Sequence, residues 1–262
     1  MPASILAWPG AIAIGVSLGL LGSGGSIITV PVLVYLIGQD EKVAIAGSLF
    51  VVGSIALAGS LQYVRVGLVD WRNVLVFGLP GMGGTYIGAM IAAFVPGVMQ
   101  LALFALVMLL ASYMMLRPVE LTNEEHEPRE TWKIASDGLI VGVITGLVGV
   151  GGGFLIVPAL VLLGGIAIHK AVATSLVIIA LKSYSGFYKY LDVLDEQNLE
   201  LDWQTLMVVT ALGIAGSYAG AKIAKRMPQQ TLKKGFGYFL IVMGIYILAR
   251  TAPEALNLAT QT

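Results

Sequence analysis

The sequence contains no cysteine, so disulfides and thiolate metal sites are excluded, whatever the compartment. Only two histidines occur, His126 and His169, too few for a metal cluster. Charge is scarce as well: 11% of the residues are Asp, Glu, Lys or Arg, where a soluble domain carries roughly 25%. A chain of 262 residues with so few charges cannot cover a water-facing surface, and 57% of it is hydrophobic. The formal net charge is zero, which leaves no global basic surface for nucleic acid. No Lys or Arg precedes Lys42, so the apolar stretch Ile5–Leu21 lacks the positive region of a signal peptide and reads as part of the mature fold.

The apolar segments themselves run to about 20 residues, long enough to cross a hydrocarbon core of roughly 30 Å. None alternates polar and apolar residues like a barrel strand, so the class is all-α and polytopic. The lipid bilayer is the implied environment, in a multi-pass arrangement.

The chain is written twice. At an offset of 127, Gly19, Gly22, Gly24, Gly25, Pro31, Ser48, Gly59 and Tyr63 match Gly146, Gly149, Gly151, Gly152, Pro158, Ser175, Gly186 and Tyr190. At an offset of 132, Asp70-Trp71, Gly81, Gly84, Gly88 and Pro96 match Asp202-Trp203, Gly213, Gly216, Gly220 and Pro228. The expected organisation is therefore a first repeat over 1–116, a polar linker over 117–133 and a second repeat over 134–262. Such duplications are typical of transporters that move one half against the other.

Each repeat opens with an apolar stretch interrupted by glycines, Ile5–Ile37 and Ala135–Gly164. Three ordinary spans follow, near 43–63, 74–95 and 98–116 in the first and 171–190, 204–224 and 235–250 in the second. The interrupted stretch is too short for two full crossings and long for one. Two forms fit: a re-entrant hairpin and a single broken crossing. Cytoplasmic loops are enriched in Lys and Arg, which favours the hairpin. With it, Arg65, Arg72, Arg117, Arg129, Lys133, Lys170, Lys222, Lys225, Arg226, Lys233 and Lys234 share one side, against Lys42, Lys189 and Arg250 on the other. A single crossing scatters the charges almost evenly. The expectation is thus two inverted repeats, each a glycine-broken re-entrant hairpin plus three transmembrane helices, with the central linker in the cytoplasm.

Lys182 falls near the middle of the span 171–190, where the first repeat has Ile55. An ionisable residue at that depth is costly and marks a functional site by default. No Asp or Glu lies deep in any expected span; Asp137 sits at an edge. A bound anion would supply the missing counter-charge, while snorkelling or loss of the proton would do without one. The glycine breaks fit an anion too, because a helix starting at mid-depth presents unpaired N–H groups and the positive end of its dipole. Ser23, Gly24, Gly25 and Ser26 would line one such tip and Gly151, Gly152 and Gly153 the other. The alternative for these glycines is a tight turn or close helix packing. Ser48, Thr174 and Ser175, early in the next span of each repeat, are candidate hydroxyl donors, although such hydroxyls more often bond their own helix. The stripes Gly81/Gly84/Gly88 and Gly213/Gly216/Gly220 read as close helix packing.

The doubled Gly22-Ser23-Gly24-Gly25…Val30-Pro31 and Gly149-Val150-Gly151-Gly152-Gly153…Val157-Pro158, with Ala173-Thr174-Ser175-Leu176 after the second, resemble the sulfite exporter TauE/SafE family of bacterial membrane permeases. The resemblance covers essentially the whole chain. It implies transport of a sulfur-containing oxyanion such as sulfite, a sulfonate or thiosulfate across the inner membrane. The expected partner is a small anionic substrate; no cofactor, metal or enzymatic activity is expected, and homo-oligomerisation is left open. The first repeat departs from the pattern, with Ser26 in place of a third glycine and Gly47-Ser48 in place of Thr174-Ser175. An asymmetric site follows from that departure. Two other readings share these features: an anion channel, and a non-transporting membrane subunit or sensor.

Overall fold

The computed structural model describes residues 7–21, 25–116, 130–149, 153–162, 166, 168–224 and 228–259. Among them there is helix and no strand. In the first repeat α1 spans Ala7–Leu21, α2 Gly25–Pro31, α3 Glu41–Arg65, α4 Trp71–Asn73, α5 Leu79–Ala92 and α6 Gly97–Leu116. A π-helical turn, Val32–Leu36, continues α2, and a second, Val74–Gly78, joins α4 to α5. In the second repeat α7 spans Thr131–Val148, α8 Gly153–Leu162, α9 Ile168–Glu196, α10 Trp203–Ala224 and α11 Gln229–Ala259. All six expected ordinary spans fall on helices. Five helical runs among the described residues are long and apolar enough to cross a membrane: Glu41–Arg65, Trp71–Ala92, Thr131–Val148, Lys170–Glu196 and Trp203–Ile223. Large apolar side chains such as Leu57, Leu61, Leu75, Leu79, Leu106, Leu110 and Val242 point outward. In water such a girdle would aggregate, whereas lipid is its natural solvent.

In the glycine-interrupted stretch of the first repeat, α2 and its π-turn pack against α1. A Cβ on Gly25 would fall 2.3 Å from the Ile14 carbonyl, and the Val32 and Leu36 side chains lie beside Gly10. The second arm therefore runs back along α1. Its arms are short, 15 residues in α1 and 7 in α2 with 5 more in its π-turn. At 1.5 Å per residue they reach about 22 Å and about 18 Å, less than a full crossing. In the second repeat α8 touches α7 and α2 and packs mainly on α9.

The repeats are interlaced by a reciprocal exchange. α7 lies along α5, and α1 lies along α10. A Cβ on Gly142 would sit 2.4 Å from the Gly81 carbonyl, and one on Gly146 would sit 2.1 Å from that of Thr85. At the repeat-equivalent positions a Cβ on Gly15 would sit 1.9 Å from the Gly213 carbonyl and one on Gly19 2.0 Å from that of Ser217. The glycine stripes thus let two pairs of backbones touch.

At the centre α3 packs on its own counterpart α9, antiparallel: Gly59 faces Leu176, Gly53 faces Ser183, and Gly186 faces Leu49. α6 and α11 are likewise antiparallel counterparts, with Leu116 against Gly237 and Leu109 against Gly244. Val51, Val52, Ile55 and Ala56 of α3 are buried in one cluster with Leu176, Ile178, Ile179 and Ala180 of α9.

The matched Asp70-Trp71 and Asp202-Trp203 are helix starts. Asp70 accepts the Asn73 amide at 3.1 Å, and Asp202 accepts that of Thr205 at 3.1 Å. The Thr205 hydroxyl and amide hold the Asp202 carboxyl below its usual range. Lys42 closes the far end of α5, its ammonium donating to the carbonyls of Ala92 and Val95.

Gly84→Val places methyls against the Leu139 carbonyl, which a Cβ alone would approach to 2.2 Å, whereas nothing lies within 4 Å of a Cβ on Gly83. Thermal unfolding in detergent is expected to show Gly84→Val destabilised by about 1–3 kcal/mol or more. Gly83→Ala should leave the transition unmoved.

Candidate functional site

α9 carries a stripe that faces the α4–α5 run. Ile178 lies beside Gly78, Lys182 beside Gly81, and the Ser185 hydroxyl donates to the Met82 carbonyl at 3.0 Å. Gly81 is near the middle of the 22-residue run Trp71–Ala92, so Lys182 is at mid-span. Its side chain is 0% exposed. The ammonium makes no hydrogen bond among the described residues, and its neighbour is the Phe77 ring, 6.0 Å away at the centroid. Gly81 provides the room, since a Cβ there would come within 3.0 Å of Lys182 Cδ. The equivalent pair in the other repeat is apolar: Ile55 fills the space beside Gly213. A lone buried ammonium is among the most expensive groups a membrane interior can hold.

Of the glycine tips, Ser23, Gly24, Gly151 and Gly152 lie outside the described residues. Gly25 and Ser26 open α2, both buried, and Gly153 opens α8. The entry to the second tip is well defined. Gly149 ends α7 at φ +70, and a Cβ on it would fall 1.9 Å from Ile45 Cγ2, so only glycine fits. The carbonyls that α7 leaves unpaired at its end are taken by side chains from three other helices. Ser48 of α3 donates to Gly149 O at 2.5 Å. Gln100 of α6 donates to Leu147 O at 2.8 Å, and Tyr190 of α9 does so at 3.3 Å. Gln100 also donates to the Tyr190 hydroxyl at 3.0 Å.

The hydroxyl candidates have structural partners. Ser48 shares its proton between Gly149 O and Ile45 O, the latter at 2.8 Å. Thr174 accepts the Asp70 amide at 2.9 Å, tying the repeats together, and Ser175 donates to Val172 O at 2.8 Å. Nor do they share a depth. Ser48 adjoins Leu49, which faces Gly186, and Gly186 lies eleven positions along α9 from Ser175. At 1.5 Å per residue that is about 16 Å, far wider than a small oxyanion. Lys182 lies between the two levels. The structure therefore brings Lys182, Phe77 and Gly81 together and sets Ser48 to one side of them and Thr174–Ser175 to the other. It does not gather the hydroxyls into one shell around the lysine.

Three residues of this arrangement escape a reading of the sequence: Phe77, Gln100 and Tyr190. Gln100 had a signal, a lone amide in the apolar run of α6. Tyr190 had one in its match to Tyr63. Phe77 had none, being one aromatic among many. Among the described residues no group of three His, Asp or Glu side chains stands close enough to hold a metal.

These helices define a multi-pass membrane protein in which Lys182 is fully buried at mid-span. The chain belongs to the sulfite exporter TauE/SafE family, whose model matches residues 7–247. The family is one of membrane transporters, not of enzymes. The chain is 32% identical to a probable membrane transporter protein of Xylella fastidiosa (strain 9a5c) over 246 residues, covering 91% of this chain and 92% of that one. It is 29% identical to a probable membrane transporter protein of Bacillus subtilis over 254 residues (87% and 91%). A probable membrane transporter protein of Methanocaldococcus jannaschii is 24% identical over 260 residues (93% and 96%). No solved structure matches the chain.

Gln100→Leu removes one of the two donors to the Leu147 carbonyl. Denaturation of the purified protein is expected to show a loss of about 0.5–1.5 kcal/mol. Gly149→Ala should cost more, because strain at φ +70 adds to the collision with Ile45.

Proposed function

We propose that the protein is a secondary transporter of a small sulfur oxyanion, such as sulfite or an organosulfonate, in the inner membrane. The observation that carries this reading is the fully buried Lys182 ammonium, which has no hydrogen-bond partner among the described residues at mid-span. An anion is the natural partner for such a group, and the family supplies the substrate class. Lys182 contributes the substrate's counter-charge. The tips Ser23–Ser26 and Gly151–Gly153 contribute backbone donors on the way in and out. Ser48, Thr174 and Ser175 lie on the two sides of Lys182, and their separation supports approach stations rather than a single shell.

The two repeats, 1–116 and 134–262, are inverted with respect to the bilayer, joined by a cytoplasmic linker over 117–133. The antiparallel packing of α3 on α9 supports this, since equivalent helices then cross in opposite senses. So does the grouping of chain ends. Asp40–Lys42, Ala93–Gly97, Gln197 and Leu199 line one open recess, while Asp70 meets Thr174 at the other end. The glycine-broken stretches are re-entrant; the short arms of the first, α1 and α2 with its π-turn, support this, while α7 of the second is long and apolar enough to cross. Rocking of the interlaced halves alternates access to Lys182. An inside-negative membrane potential drives an anion outward without a coupled ion.

Two experiments test the reading. In proteoliposomes Lys182→Met should abolish sulfite counterflow while the protein stays monodisperse; wild-type flux in that variant would sink the assignment. Counterflow itself separates a carrier from a channel, which shows none, and a non-transporting subunit gives no flux. The chain lacks native cysteine, so Val66→Cys and Gln197→Cys report topology cleanly. They should react with an impermeant thiol reagent from opposite sides, and labelling from one side would eliminate the inverted arrangement.

A further inference from the structure

The two repeats differ in the run that faces Lys182. In the second repeat α10 runs uninterrupted over Trp203–Ala224. In the first, the matching run is broken by the π-turn Val74–Gly78. The cause is legible in the chain: Pro80 stands where the second repeat has Leu212. Proline has no N–H for the Val76 carbonyl and crowds it, so the preceding turn widens. The turn sets the Phe77 backbone against α7, in line with the contacts of Gly81 and Thr85. A Cβ at residue 138 would fall 2.3 Å from the Phe77 carbonyl, and residue 138 is a glycine where the first repeat has Ala11. Phe77 itself replaces Val209, and its partner Lys182 replaces Ile55. Pro80, Gly138, Phe77 and Lys182 thus all break the repeat symmetry, and all converge on one point of the fold.

We propose that Phe77, carried inward on the proline-induced π-turn, is the residue that positions the Lys182 ammonium for the anion. This rests on the reading above that Lys182 carries the substrate's counter-charge. The ring face lies 6.0 Å from the ammonium, within reach of a cation–π attraction that desolvation strengthens. The Ile178 side chain beside Gly78 and the Lys182 stem beside Gly81 fix the register of α9 on the turn. The ring holds the head group away from backbone carbonyls that would otherwise capture it. An incoming anion then meets a charge whose donors are free. Phe77 is a positioning residue: it acts on the substrate through Lys182.

The test pairs a stability cycle with transport kinetics on the full chain. Thermal unfolding is measured for wild type, Phe77→Leu, Lys182→Met and the double variant. Positioning predicts non-additivity, with Phe77→Leu lowering Tm less in the Lys182→Met background than alone; a purely packing role gives additive shifts. In proteoliposomes loaded with sulfite, Phe77→Leu should raise the half-saturating concentration about tenfold with maximal flux nearly retained. Phe77→Tyr, which keeps a ring face, should restore it. Pro80→Leu, which restores the missing amide, should behave like Phe77→Leu. Additive Tm shifts, or a wild-type half-saturating concentration in Phe77→Leu, would overturn the proposal. If Phe77→Leu is not monodisperse, Phe77→Met takes its place in both measurements. Should Lys182→Met transport sulfite like wild type, the substrate reading fails; the stability cycle reports the Phe77–Lys182 coupling independently.

Discussion

Direct contact between backbones is the constraint on which this fold depends. Where α1 meets α10 and where α7 meets α5, any side chain larger than hydrogen at Gly15, Gly19, Gly142 or Gly146 would run into a main-chain carbonyl. In a bilayer, burial of apolar surface does little to bring helices together, because lipid tails are as apolar as leucine. Close packing supplies the attraction instead, and glycine permits the closest packing. These contacts bind the first helix of each repeat to the other repeat. They also set the register that places Gly81 under Lys182 and Phe77 beside Gly138. The position of the charged centre is therefore a consequence of where glycines fall on helices that carry no charge there.

The helical class, the duplication and the rough placement of the ordinary spans were legible from the sequence, because each leaves a one-dimensional trace; the helix ends were not, α9 running on to Glu196 and α11 to Ala259. Apolar run length, matched glycines and the match of Asp70-Trp71 to Asp202-Trp203 are local or periodic features. Lys182 was legible for the same reason, as a charge in an apolar run. The partners of the candidate hydroxyls were not. Whether Ser48 bonds a ligand or Gly149 O depends on which residue the fold carries to it from 101 positions away. Phe77 and Gly138 were invisible for a subtler reason. Their meaning lies in a difference between repeats that matters only once both are seen beside Lys182.

The repeat itself supplies an internal control. Ile55 lies against Gly213 as an apolar pair, and Lys182 lies against Gly81 at the matching position of the other repeat. The differences are few and lie on three helical segments, yet they meet. The tie between Thr174 and Asp70 and that between Ser48 and Gly149 likewise cross from one repeat to the other. A polar network so placed joins the two repeats, so its members serve cohesion between them.

The interlacing also has a consequence for biosynthesis. Helix α1 leaves the ribosome well before its partner α10, which begins 196 residues after α1 does, at Trp203. Until then its glycine face has no backbone to rest on. The early helix must wait in the translocon or in lipid while most of the chain is made. Neither half can be completed alone, since each holds the docking groove for the other's first helix. Truncated or interrupted chains would expose that groove, and quality-control proteases that survey the bilayer would have a clear mark to read.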